Sequence, residues 1–255
     1  MYSSQESRIE LAKQISLNSD LYAIDLPNSY RQEGDGWITT FTGHPFAILN
    51  DILLFHNRLE VVDESLAVLE ERKLPAQIKV IGPAQSLIPR LIERGYEFKY
   101  TTPLMVWRPQ DSINNFQLRK DLFIRRLEKH ETELVWDVYQ DVYGMPDQAK
   151  SAFTSMFLKN DKDFTYALYK NEDLVSLVTA MHDGDFAGIW GMGTPTKFQK
   201  NGYGAQLLSE VMRIHANLGA RTFALYASPA GKPLYDKLRW ITIEYIPHFG
   251  LVKKS

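Results

Sequence analysis

The 255-residue chain contains no cysteine. That absence excludes disulfides, thiolate metal sites and cysteine nucleophiles, and it is compatible with a reducing, cytoplasmic setting. A strong charge of either sign is also missing. The 29 Lys and Arg nearly balance 31 Asp and Glu, for a formal net charge of −2, so nothing in the balance points to a nucleic-acid or membrane partner. No apolar run approaches the ~18 residues of a spanning helix. The stretch Met1-Tyr2-Ser3-Ser4-Gln5-Glu6-Ser7-Arg8 has no apolar core after its charges and is not read as a secretory signal. Metal-ligand spacing such as His-Glu-x-x-His does not occur, so no metal is expected. What is present is ample core material, 44% hydrophobic with 12% aromatic. The length suits one large domain or two ordinary ones.

Hydrophobic periodicity divides the chain into two runs. Ser4–Ile15 has helical spacing, with Ile9, Leu11, Ala12 and Ile15 as a buried face. Strands are expected at Tyr22–Leu26, Trp37–Phe41, Phe46–Leu54 and Gln77–Ile81, with helices at Val62–Arg72 and Ser86–Arg94, the latter ended by Gly95. Tyr96–Trp107 reads as two strands around Thr101-Thr102-Pro103. The polar stretch 108–115 reads as a linker between domains at 1–110 and 117–255.

The second run reads as a strand at Leu122–Leu127, helices at Glu131–Tyr143 and Asp147–Leu158, and strands at Phe164–Tyr169, Leu174–Met181 and Phe186–Thr194. A long helix over Ala205–Leu218 follows, then a strand at Thr222–Ala227, a short helix over Gly231–Leu238 and two strands around Pro247. Arg90–Tyr96 can be laid on Leu234–Trp240, which suggests a tandem of one fold.

The densest chemical signal is Gln199-Lys200-Asn201-Gly202-Tyr203-Gly204, between an expected strand and an expected helix. Such a turn presents backbone N–H groups at the positive end of a helix dipole and can bind phosphate. Its glycines permit torsions that other residues resist. The pattern by itself arises by chance in about one chain of this length in eight, so its context matters. In the preceding strand, alternation puts Gly191 and Gly193 on one face. That bared face leaves room either for the arm of a cofactor or for a bulge that serves packing.

Thr194 through Gly204, with Ser228, Gly231 and Leu234-Tyr235-x-Lys237-Leu238, resemble the GCN5-related N-acetyltransferase (GNAT) superfamily over residues 117–255. The first half resembles the degenerate partner of tandem two-domain members, through His44-Pro45-Phe46, Leu74-Pro75, Gly82-Pro83, Leu91-x-x-x-Gly95-Tyr96 and Met105, without a glycine turn. The resemblance implies an α/β (α+β) protein of two tandem GNAT-like domains, each a mixed, mostly antiparallel twisted sheet flanked by helices. It also implies a cytoplasmic acetyl-CoA-dependent N-acetyltransferase, monomer or homodimer, acting on a small-molecule amine or peptide acceptor.

By resemblance, Gln199 opens the pyrophosphate loop, and the backbones of Lys200, Asn201, Gly202, Tyr203, Gly204 and Ala205 bind the diphosphate. Met192, Gly193 and Thr194 pair with the pantetheine arm and the thioester carbonyl. Ser228 stands where the family often has an asparagine that touches pantetheine, and Tyr235 where a tyrosine protonates the departing thiolate. Two positions depart from the pattern. The proline expected three residues before the glutamine is Thr196, with Pro195 one place early, and the usual Gly-Phe after the tyrosine helix is Arg239-Trp240.

A general base is not apparent, since the strand before the turn has no glutamate. Glu133, Asp141 and Tyr143 are candidates on the helix that would wall an acceptor pocket, and a bound water is another. His182 reads as a turn histidine; His130 and His215 read as surface or packing residues. Arg125-Arg126 and Lys253-Lys254 read as solvated pairs, and Met192 and Met212 as cofactor-wall or core residues. Two other functions share the frame. A non-catalytic acyl-CoA-binding or scaffold protein fits the missing base, and an aminoacyl transferase using charged tRNA is disfavoured by the near-neutral charge.

Overall fold

The computed structural model describes residues 2–19, 26–109, 116–157 and 161–252. Of the expected strand Tyr22–Leu26 only Leu26 is among them. Most of the expected linker, Leu158 and the pair Lys253-Lys254 also lie outside the described residues. The chain clusters into two compact units, 1–105 with 242–255, and 106–241.

The first unit begins with α1 (Gln5–Ser19), whose 3.6-residue spacing turns Leu11, Ala12 and Ile15 inward. Strands β1 (Tyr30–Gly34), β2 (Trp37–Phe41) and β3 (Asn50–Leu54) form an antiparallel meander. Residues 47–49, expected within a strand, are a 3-10 turn leading into β3. Helix α2 (Glu60–Arg72) crosses over to β4 (Gln77–Val80), which runs parallel to β3. Val61, Val62, Leu66 and Leu69 form the buried stripe of α2 and pack with Ile52, Leu54, Ile78 and Val80 of the sheet. A 3-10 turn over Gly82–Leu87 runs into α3 (Ile88–Glu93), and β5 (Tyr96–Trp107) follows.

In the second unit, β6 (Phe123–Arg126) leads to α4 (Thr132–Tyr143) and α5 (Lys150–Met156). Strands β7 (Asp163–Lys170), β8 (Asp173–Asp183) and β9 (Phe186–Gly193) continue the antiparallel pairing from β6. Helix α6 (Tyr203–Asn217) carries the chain to β10 (Thr222–Tyr226), parallel to β9. The order within this unit is β10-β9-β8-β7-β6. Then come α7 (Lys232–Lys237) and β11 (Ile241–Leu251). β11 belongs to the first unit, where it pairs antiparallel with β4 in the order β1-β2-β3-β4-β11-β5. Each unit thus holds a mixed, mostly antiparallel sheet flanked by helices, and in each a single helix joins the parallel pair.

Two expectations are corrected in the same way. Tyr96–Trp107 is one strand, not two around Pro103, and Ile241–Leu251 is one strand, not two around Pro247. A proline removes one ladder donor but leaves an extended backbone intact, so it need not end a strand. The pair Arg125-Arg126 is also more than a solvated surface. Arg125 forks onto Glu131 at 2.6 and 2.7 Å, which holds the Glu131 carboxyl down to about 2. Arg126 donates to the Asp163 carbonyl at 2.7 Å and lies over the Phe164 ring.

Candidate functional site

In the second unit, the end of β9 and the turn beyond it carry three left-handed residues, Gly191, Lys200 and Gly202. Along β8 and β9 the register passes from Thr179 opposite Trp190 to Leu177 opposite Gly193, so β9 carries one extra residue there. Gly191 sits in that bulge with φ +55°, a conformation that glycine tolerates best. The face bared by Gly191 and Gly193 is filled by α4. A Cβ on Gly191 would lie 1.7 Å from the Tyr139 hydroxyl, and one on Gly193 would lie 2.7 Å from Val138. Of the two uses left open for these glycines, packing against a helix accounts for this face.

Helix α4 holds the strand's exit by hydrogen bonds as well. Tyr143 donates to the Met192 carbonyl at 2.7 Å, and Asp141 accepts from both the backbone N–H and the hydroxyl of Thr196. Ser176 on β8 donates to the Gly193 carbonyl, and its hydroxyl also bonds that of Thr194.

Beyond Thr194 the chain makes a 3-10 turn, Thr196–Phe198, and then the glycine turn. Lys200 and Gly202 both have left-handed torsions, φ +64° and +79°. Gly202 is the N-cap of α6 and supplies no side-chain cap, and the first turn of α6 holds no acidic residue. Among the described residues, the amides of Lys200 through Ala205 donate to no backbone carbonyl. An uncapped helix start of this kind presents unsatisfied donors and a positive dipole end to solvent. A Cβ at Gly202 would meet nothing within 4 Å, so the turn faces open space. Lys200 has no ion-pair partner among the described residues, which leaves its charge beside the turn.

The side chains of the loop brace it from within. Gln199 donates to the Thr194 carbonyl at 3.2 Å, and Asn201 donates to the carbonyls of Phe198 and Gln199. Tyr203 is buried and stands edge-on to Phe198. Gly204 is where strand end, helix start and α7 converge. A Cβ there would lie 3.0 Å from Met192, 3.3 Å from Thr194 and 3.4 Å from Leu234.

Tyr235 on α7 is buried and edge-on to Trp240. Burial raises its phenol pKa, and the nearby Tyr143 raises it further, with no hydrogen bond contributing. The two tyrosines are thus electrostatic neighbours, although Tyr143 is an exposed residue. Ser228 plays a local part: its hydroxyl accepts from the Gly231 N–H at 3.1 Å and caps the approach to α7. Arg239, where the resemblance expects a glycine, takes a left-handed φ of +62°.

The base candidates separate. Glu133 is paired with Lys150 at 2.5 Å, and Asp141 is occupied as a cap. Tyr143 alone of the three adjoins both Met192 and Tyr235. His130 is exposed beside Glu128. His182 bonds the Gly184 carbonyl in its own turn and shares a 2.9 Å contact with His215. His215 is fully buried, and desolvation first, then His182 and Arg126, lower its pKa to about 3. Met212 is core and Met192 borders the turn. No group of three potential metal ligands occurs among the described residues, and no described helix is long and apolar enough to cross a membrane.

The model of the acetyltransferase (GNAT) family matches residues 127–239. The fold resembles a solved GCN5-related N-acetyltransferase from Kribbella flavida, at 12% identity over 96% of each chain with a TM-score of 0.73. One from Sphaerobacter thermophilus is similar at 11% identity, covering 94% of this chain and 91% of that one, with a TM-score of 0.63. A GCN5-related N-acetyltransferase-like protein from Streptococcus suis is similar at 13% identity, over 94% and 99%, with a TM-score of 0.57. At these identities the likeness concerns the fold. No curated protein sequence matches the chain.

Proposed function

We propose that this chain, whose residues 127–239 match the GNAT acetyltransferase family, belongs to that family and transfers an acetyl group from acetyl-CoA to a primary amine by direct attack. The observation that carries this reading is the uncapped turn, with left-handed Lys200 and Gly202 and unpartnered amides at the start of α6. Its donors, dipole and open space fit a diphosphate.

Lys200 through Ala205 would hold the diphosphate through their backbones, with Gln199 and Asn201 keeping the loop's shape. Met192, Gly193 and Thr194 would line the pantetheine arm, and Ser228 would border it while holding the Gly231 N–H ahead of α7. Bound acetyl-CoA supplies a thioester whose carbonyl accepts the amine and whose sulfur leaves. A backbone N–H near Thr194 would polarise that carbonyl as charge develops on its oxygen. Tyr235 is the proton donor to the sulfur, and the proton that the attacking amine gives up would return to its phenol through water, so the step balances. Burial keeps its phenol protonated, and the same dry surroundings penalise a free thiolate, so donation accompanies departure.

Tyr235→Phe should lower kcat about a hundredfold and leave CoA affinity within about twofold. Thiol release on an amine panel and a CoA titration measure the two. Absence of thermal stabilisation by millimolar acetyl-CoA would sink the reading. A second reading, a protein that binds acyl-CoA without turnover, is favoured by β9 (Phe186–Gly193), which carries no carboxylate. CoA binding without acceptor-dependent thiol release on any amine would select it.

A further inference from the structure

The glycine turn does not start from a cap of its own. The 3-10 turn that introduces it, Thr196–Phe198, has Pro195 at its N-cap, which makes no side-chain cap bond. The cap comes from 55 residues upstream, where Asp141 on the last turn of α4 accepts the Thr196 N–H at 2.6 Å and the Thr196 hydroxyl at 3.0 Å. Both bonds are charge-assisted, and the carboxylate sits at the donor-rich start of a turn, where it is favoured. From this point the backbone runs on through Phe198 N–H to the Pro195 carbonyl and Gln199 N–H to the Thr196 carbonyl, directly into left-handed Lys200. Neighbouring residues of α4 fix the chain just before it, Tyr139 over Gly191 and Tyr143 on the Met192 carbonyl.

We propose that Asp141 is a positioning residue that sets the phosphate-binding turn by capping Thr196, and so ties the CoA site to helix α4. The inference rests on reading the turn as a CoA site. Asp141 touches no reacting atom; it acts through the backbone of Thr196. A proline at position 196 would remove both groups that Asp141 holds while fixing φ near about −65°, as the first position of a helical turn accepts. The residue before it already has the extended ψ of 141° that a following proline demands.

The test is a calorimetric titration of the full chain with CoA and with pantetheine, which lacks the diphosphate. Asp141→Ala should raise the Kd for CoA about tenfold and leave that for pantetheine unchanged. Asp141→Asn keeps an acceptor and should recover most of the loss. In a Thr196→Pro background, Asp141→Ala should have no further effect. The proposal is overturned if Asp141→Ala leaves CoA affinity unchanged, weakens pantetheine equally, or costs as much in the Thr196→Pro background. If Thr196→Pro fails to fold, the CoA-against-pantetheine contrast and the asparagine rescue decide alone. A native chain that binds pantetheine and CoA equally, or neither, instead overturns the CoA-site reading on which the proposal stands.

Discussion

In the first unit, β3 leads through Phe55–Leu59 into α2, whose first turn carries Glu60 and Asp63. In the second, β9 leads through a left-handed turn into α6, whose first turn carries no acid and whose N-cap is glycine. Both helices join a parallel pair of strands, so the frame is shared and the electrostatics are opposite. Carboxylates paired with Arg58, Arg90 and Arg94 stand in the first turn of α2, whereas the first turn of α6 carries none and leaves its positive end open. The short helices differ in the same sense. Laying Arg90–Tyr96 on Leu234–Trp240 puts buried Leu91 opposite buried Tyr235: one unit holds a methyl-rich plug where the other holds a phenol. A shared frame with different groups at two positions would be enough to confine the proposed chemistry to one unit.

The largest expected effect comes from making α6 resemble α2. Ala205→Asp places a carboxylate in its first turn and should weaken CoA binding ten- to hundredfold. Glu60→Gln in α2 should leave CoA affinity unchanged within about twofold. Equal sensitivity of the two helices would erase the distinction drawn between the units.

A smaller effect is common to both units. His215 in the second and His248 in the first are buried, and burial chiefly lowers each pKa to about 3. The unfolded chain takes up these protons near the ordinary histidine pKa of ~6.5, while the folded chain does not until near 3. Stability from each is therefore full above ~6.5 and declines as pH falls towards 3, by up to about 5 kcal/mol each at about 1.4 kcal/mol per unit. Denaturant midpoints across that range measure it, and His215→Gln or His248→Gln should flatten the acid limb relative to the native chain.

The smallest effect lies where the two helix ends superpose. Gly95 has φ +83° with nothing within 4 Å of a Cβ, and its counterpart Arg239 has φ +62°. Gly95→Ala should cost about 1 kcal/mol. Arg239→Gly should change stability by less than that, because relief of the torsion is offset by freedom in the unfolded chain. A chemical-denaturation series on both variants checks the pair.

The glycine turn was legible because a strand, a turn and a helix adjacent in sequence are governed by local rules. The weak sequence match that sets Gly95 opposite Arg239 draws on local spacing too, and both residues have left-handed torsions. The cap of Thr196 by Asp141 was not legible, since it joins residues 55 apart and depends on how α4 packs on β9. Asp141 was considered as a base, and only the packing gives it its present partner. Pro103 and Pro247 misled in both units, because whether a proline ends a strand depends on whether its missing donor was needed. Strand β1 went unseen because Arg31, Gln32 and Glu33 are all exposed and leave no apolar alternation to read.

The central claim is that the turn at the start of α6 is the CoA site. Calorimetric titration of the full chain with CoA, beside the Ala205→Asp variant, tests it most directly. The account predicts saturable binding to the native chain and a Kd raised at least tenfold in the variant, with its melting temperature preserved. Undetectable binding by the native chain, or equal binding by the two, would contradict it.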